Sequence, residues 1–308
     1  MTASSKQPSA RQVDKSPEEE AVIVCGTDFS ANAMNAATAA AVIAKGLGHT
    51  LILVHAFEEA IDATPRDFEP LIAVARNRLH KEAERLRNLG ALVREECALG
   101  FPDALLVEFA ERHHAEFIIV SSLGRRAPGR WLVGSVAERV AEAAALPTLV
   151  IRAAQPFEAW ARGTPLNILV GADFSTSSDS ALRVIPLLQK VGPCEVTVAH
   201  IAPPGGHLLP GSGDEAMSVD LKPEYQKMLE NTLRAKVESA IGQTDVRIQI
   251  TPNWGRVDNA LLLLAGELKA DLIIVGTHRR HGAALLWHGS VSRGILHGAT
   301  VSVGCAAG

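Results

Sequence analysis

The stretch FIIVSSLGRRAPGRWLVGSVAERV, residues 117–140, recurs as LIIVGTHRRHGAALLWHGSVSRGI, residues 272–295. Each copy opens with an apolar tetrapeptide, passes through a loop containing glycine and arginine, and ends with Gly-Ser-Val at the start of a helix: Gly134-Ser135-Val136 and Gly289-Ser290-Val291. A helix start presents unpaired backbone N–H groups and a partial positive charge, and glycine lets a backbone approach an anion closely. The stretch is a candidate phosphate cradle, present twice.

Upstream of the first copy, residues 21–26 (AVIVCG) suit a buried parallel strand ending in Thr27-Asp28-Phe29-Ser30. Ser30 is placed to cap the alanine-rich helix that follows, with Gly46 expected as its C′ residue. Residues 51–57 (LILVHAF) read as a second strand. A longer helix from about Pro65 to Leu89 carries Phe68, Leu71, Ile72, Ala75 and Leu79 at helical spacing. A third strand near 91–97, a short helix after Gly100-Phe101-Pro102-Asp103, a fourth strand at 117–121 and a fifth at 148–151 complete the unit. Strands alternating with helices argue for a parallel sheet covered on both faces.

Residues 153–165 break the pattern with Pro156, Gly163 and Pro165 and read as a linker; then the order recurs. Ala172-Asp173-Phe174-Ser175 matches the first turn, His200 matches His55, and Gly255-Arg256-Val257-Asp258 matches the turn at 100–103. Asp28 and Asp173 stand 145 positions apart, whereas Asp103/Asp258, Gly134/Gly289 and Ser135/Ser290 are each 155 apart. The extra residues lie in the Pro/Gly-rich loop at 202–223, long enough to be mobile or a lid. The expected division is a disordered tail at 1–19, domains at 20–153 and 166–308, and a linker at 154–165.

Composition bounds the function. A hydrophobic fraction of 47% with 21% charged residues describes a globular protein with ample core material. A net charge of −4 gives no global basic surface for nucleic acid, and 4% aromatic residues give little base-stacking surface. The four scattered cysteines read as free thiols. The polar N-terminal stretch lacks a signal-peptide pattern, and no apolar run is long enough to span a bilayer, so a cytoplasmic location without a membrane partner is expected. There is no Gly-x-x-x-x-Gly-Lys-Ser/Thr phosphate loop and no Gly-x-Ser-x-Gly nucleophile elbow.

In an open sheet of order 3-2-1-4-5, a ligand binds beyond the carboxyl ends of strands one and four, where the helices leave to opposite faces. Thr27, Asp28 and Phe29 would meet Ser121, Ser122, Gly124 and Arg125 there. An anion at the helix start, with Asp28 near a sugar hydroxyl or a metal, suggests a nucleotide. Arg125, Arg126, Arg130, Arg279 and Arg280 either neutralise phosphates or keep exposed loops soluble. Asp103 and Asp258 read as caps of the third helix. His55 and His200 read as satisfied core histidines, and His278, His281, His288 and His297 lack a metal-ligand spacing.

The T-D-F-S turn, the Gly-x-Pro before the third helix, and the Gly-x-x-Gly-nine residues-Gly-Ser pattern, in that order, resemble the universal stress protein family in its tandem, two-domain form. The resemblance implies two tandem Rossmann-like (adenine nucleotide hydrolase-like) α/β domains, each with a five-stranded parallel sheet of order 3-2-1-4-5. It implies ATP, with or without Mg2+, as cofactor and a role in stress adaptation or signalling rather than catalysis. Gly26, Thr27 and Asp28, with Gly171, Ala172 and Asp173, would face the adenosine, and the backbones of Ala56 and Ile201 would contact adenine. Ser121, Ser122, Gly124, Arg125, Gly134, Ser135 and Val136 would hold phosphates in the first half. Gly276, Thr277, Arg279, Gly289, Ser290 and Val291 would do so in the second. Neither glycine set is full: Ser121 stands at the first glycine of one copy and Arg279 at the second glycine of the other. A nucleotide-free interaction scaffold, and a slow ATP hydrolase using Asp28 with a metal, are the alternatives. The resemblance also implies pairing of the halves through their final strands as an internal pseudo-dimer; a further homodimer is left open, and the sequence does not name a protein partner. The second half's ending, Val301-Ser302-Val303 followed by Gly-Cys-Ala-Ala-Gly, reads as a weaker strand, and Pro186 as a kink in the second half's first helix.

Overall fold

The computed structural model describes residues 21–57, 65–124, 133–203, 221–242, 245–277 and 291–308. The expected tail at 1–19 and most of the loop at 202–223 lie outside the described residues. The first half contains β1 (Val22–Gly26), α1 (Ala31–Leu47), β2 (Thr50–Phe57), α2 (Pro65–Asn88), β3 (Leu92–Leu99), α3 (Pro102–Arg112), β4 (Phe117–Ser121), α4 (Ser135–Ala143) and β5 (Thr148–Ile151). After α5 (Gln155–Ala161), the second half repeats the order: β6 (Leu166–Gly171), α6 (Thr176–Val191), β7 (Cys194–Ala202), α7 (Pro223–Ile241), β8 (Val246–Pro252), α8 (Val257–Glu267), β9 (Leu272–Thr277), α9 (Val291–Gly298) and β10 (Ser302–Ala307).

Each half has the strand order 3-2-1-4-5, and the halves join into one ten-stranded mixed sheet, β3-β2-β1-β4-β5-β10-β9-β6-β7-β8. Pairing is parallel within each half. Between halves β10 runs antiparallel to β5, with Val303 opposite Val150 and Cys305 opposite Thr148. Helices α1, α2, α5, α6 and α7 cover one face over a core shared by both halves, and α3, α4, α8 and α9 cover the other. No helix among the described residues is long and apolar enough to cross a membrane.

Ser30 and Ser175 cap α1 and α6 as expected, each accepting a hydrogen bond from the backbone N–H three residues on. Four other expectations change. Gly48, at φ 72°, closes α1; Gly46 lies inside the helix, where a Cβ would come within 2.5 Å of Val191 in the other half. The core-facing stripe of α2 begins later than expected, at Ala75 and Leu79, while Leu71 is exposed; the Phe68 side chain lies outside the described residues. The segment read as a linker holds α5, started by Pro156 in its first turn and closed by Gly163 at φ 97°. Its Phe157 and Trp160 are buried, and Trp160 Nε1–H donates to the Pro193 carbonyl at 2.8 Å. Finally, β10 is longer than β5, six residues against four. Its small residues are what the junction needs: a Cβ on Gly304 would already lie 3.1 Å from Leu149 and 3.2 Å from Ile274.

The four cysteines are free. Burial pushes the Cys305 thiol up to about 12 and that of Cys194 up to about 11, so neither is a thiolate nucleophile at neutral pH.

Candidate functional site

In both halves the first strand ends in a turn built the same way. Phe29 and Phe174 adopt left-handed φ values of 62° and 63°, a conformation that bulky side chains rarely hold. The turn is held from three sides. An oxygen of Asp28 accepts from the Ser30 N–H at 3.0 Å, and Asp173 does the same for Ser175 at 3.1 Å. Nδ1–H of His55 donates to the Thr27 carbonyl at 2.7 Å, as His200 does to Ala172 at 2.8 Å. The Phe29 and His55 rings lie 4.3 Å apart, and those of Phe174 and His200 lie 4.5 Å apart. The histidines are therefore turn-positioning groups, and both carboxylates are fixed at the carboxyl ends of β1 and β6.

In the first half the loop after β4 folds back to this carboxylate. The Gly134 N–H donates to the Ser122 carbonyl at 2.7 Å, closing the excursion whose residues 125–132 lie outside the described set. A Cβ on Gly124 would lie 3.0 Å from Asp28 Oδ2, so only a residue without one sits there unhindered. Asp28, Ser122, Gly124 and Gly134 are thus brought together as the spacing predicts. Gly134 is the N-cap of α4 and has no side chain with which to cap it. Gly26 has a packing duty: its Cβ position is 2.8 Å from Leu106. Val136 packs against the core, Ser121 ends β4, and Ala56 lies in β2 beside Ala98 of β3. Arg125 lies outside the described residues.

The second half holds a cavity of about 200 Å³ beyond the carboxyl ends of β6, β7 and β9. Six expected residues line it: Gly171, Ala172, Asp173, Ile201, Gly276 and Val291. Its other walls come from the strands at Ala199, His200 and Val275, from Ser177 and Ser178 at the start of α6, and from Val257 and Leu261 of α8; the motifs did not mark Ser177, Ser178 or Leu261 as part of a site. The four-residue spacing of Val257 and Leu261 on one helix face was the available signal. Thr277 is buried next to the site, whereas Arg279, Gly289 and Ser290 lie outside the described residues. Gly276 is pressed by the chain itself: its Cβ position falls 2.3 Å from the Ser177 carbonyl carbon.

Asp103 and Asp258 are not helix caps. Phe101 and Arg256 are the N-cap residues, and the aspartates sit in the first turns of α3 and α8. Asp103 pairs with Arg139 of α4 at 2.8 Å. The position equivalent to Arg139 is Gly294, where a Cβ would approach Asp258 Oδ2 to 1.8 Å, so the partner has moved to Arg256, whose Nη2 is 2.6 Å from that oxygen. The Arg256 guanidinium holds the Asp258 carboxyl below its usual range. A depressed carboxyl contributes stability above its unfolded-state value, and that contribution is lost as the pH falls through the folded value. In urea unfolding, wild type and Arg256→Ala should therefore differ most near neutral pH and converge as the pH falls from about 5 to about 2. A constant difference across that window would remove the ion pair as its cause.

A family model for the universal stress protein family matches residues 21–152 and again residues 166–305. The chain belongs to the universal stress protein family. A universal stress protein of Thermus aquaticus is 30% identical over 136 residues, which cover 42% of this chain and 97% of that protein. One from Methanocaldococcus jannaschii is 36% identical over 74 residues, 24% of this chain and 44% of that protein, so the match spans less than half of that relative. The crystal structure of a universal stress protein from Archaeoglobus fulgidus superposes with a TM-score of 0.68 at 18% identity, over 94% of this chain and 99% of that one. At that identity the likeness concerns the fold, and it extends across both universal stress protein domains. His297, one of the histidines weighed as a metal ligand, bonds Glu138 at 3.1 Å. Among the described residues no three His, Cys, Asp or Glu side chains are grouped to hold a metal ion.

Proposed function

We propose that this universal stress protein binds an adenine nucleotide, ATP, beyond the carboxyl ends of its strands, and that occupancy alters the surface it presents in stress adaptation or signalling. The observation that carries the reading is the cavity at the switch point of the second half, where β6 and β9 send α6 and α9 to opposite faces. Its apolar walls suit a flat heterocycle, with the Ile201 backbone at the base and Asp173 toward the sugar hydroxyls. Its described walls enclose about 200 Å³, below the roughly 300–1,000 Å³ of sites that enclose a whole ligand, which suits the nucleoside part. In the first half, Asp28, Gly124 and the α4 start at Gly134 and Ser135 form the corresponding frame, and amides without a side-chain cap suit a phosphate. Ser121, Ser122 and the backbone of Ala56 complete it. Mg2+ would arrive on the phosphates rather than in a protein cage. ATP is a ligand and not a substrate in this reading.

The incomplete glycine sets, with Ser121 and Arg279 standing at glycine positions, favour a second reading, a nucleotide-free interaction scaffold. Titration of the full chain with ATP and Mg2+, read by thermal shift and calorimetry, separates the two. A ligand at a hundred times its dissociation constant adds about 2.7 kcal/mol to stability. Binding heat with a raised melting temperature is the expected result; neither signal at millimolar ATP would leave the scaffold.

A further inference from the structure

Helices α4 and α9 meet across the pseudo-twofold axis that relates the halves, and their facing residues occupy equivalent positions. Glu138 and Arg293 are 155 positions apart, as are Glu142 and His297. The first half supplies two acids at this face and the second supplies two bases. Glu138 Oε1 accepts from Arg293 Nε at 2.9 Å and lies 3.1 Å from His297 Nε2. Glu142 is within the field of both Glu138 and Arg293. Beside this group Arg152 of the first half reaches the Leu296 carbonyl of the second at 3.1 Å.

In a twofold interface between identical copies, a residue on the axis faces itself, so equivalent positions must tolerate like charges. Two first halves joined through this face would crowd four carboxylates, and two second halves would oppose arginine to arginine. Like charges placed opposite one another suppress the wrong pairing more strongly than a surface ion pair rewards the right one. We propose that the α4–α9 face is a specificity-determining interface, in which the diverged residues at positions 138/293 and 142/297 commit each half to its unlike partner and exclude pairing of like halves.

The full chain itself permits the test, because single reversals recreate the forbidden pairings inside it. Glu138→Arg sets arginine against Arg293, as two second halves would. Arg293→Glu sets glutamate against Glu138, as two first halves would. In urea unfolding, each single variant is expected to lower the folded-to-unfolded ratio about tenfold or more. The double variant E138R/R293E, with the charges exchanged, should recover most of that loss. Singles indistinguishable from wild type would overturn the proposal, and so would a double variant whose loss equals the combined losses of the singles. Those outcomes leave nucleotide titration untouched, so they do not bear on the ligand reading.

Discussion

Trp160→Ala is expected to lower the free energy of unfolding by about 3–5 kcal/mol, the range for removing a large buried aromatic side chain. Trp160 is 2% exposed, sits edge-on to Phe157 with ring centroids 6.4 Å apart, and donates its indole N–H to Pro193 of the second half. The substitution leaves a cavity in the core common to both halves and removes one of the two hydrogen bonds that the Pro193 carbonyl accepts, the other coming from the Leu166 N–H. Circular dichroism across a urea gradient measures the effect. A variant within about 1 kcal/mol of wild type would show that α5 is dispensable to the core.

Gly276→Ala should destabilise by about 1–3 kcal/mol, the usual range for forcing extra atoms into a packed site. The obstacle is backbone, not a movable side chain: the new Cβ would stand 2.3 Å from the Ser177 carbonyl carbon, 2.4 Å from its oxygen and 2.7 Å from the Ser178 nitrogen. Relief requires the first turn of α6 to withdraw from β9. Ser177 and Ser178 wall the cavity, so the same shift should weaken any nucleotide held by the second half and spare the first. Wild-type stability in this variant would mean that α6 does not rest on Gly276. The glycine that the repeat offers as a phosphate contact has a packing duty of its own.

The repeat made the alternation of strands and helices and the Asp28/Asp173 turns legible, because buried apolar runs and serine caps are local signals; the strand order came from the resemblance to the universal stress protein family. What escaped was set by contacts between distant segments. Gly304-Cys305-Ala306-Ala307 has little intrinsic strand preference, yet it is a strand because it pairs with β5 on one side and β9 on the other, where a Cβ on Gly304 would crowd Leu149 and Ile274. Gly46 looked like a helix terminator, but its purpose is the close pass of α1 by Val191. For α5 the signals were local and were outweighed by its prolines: Pro156 in the first turn and Gly163 past the end are helix boundaries as much as breakers. The same holds for Asp103, since a proline at 102 already marks the first helical position and moves the cap to Phe101. At the site, the carboxylates and glycines were readable from the repeat, whereas Ser177, Ser178 and the α8 wall follow from how helices pack onto the sheet.

The antiparallel meeting of β5 and β10 also decides which strands of the sheet are left with unpaired backbone groups. Standing alone, the first half would end in Thr148-Leu149-Val150-Ile151, an uncharged, wholly buried run whose free amides could template aggregation. Joining the halves covers that rim and the small-residue rim of β10 with each other. Among the described residues the edge strands of the sheet are β3, carrying Arg94, Glu95 and Glu96, and β8, carrying Arg247 and closing on Pro252. Charge and proline discourage further strand addition at both, so the tandem arrangement confines its stickiest strands to the middle of the molecule.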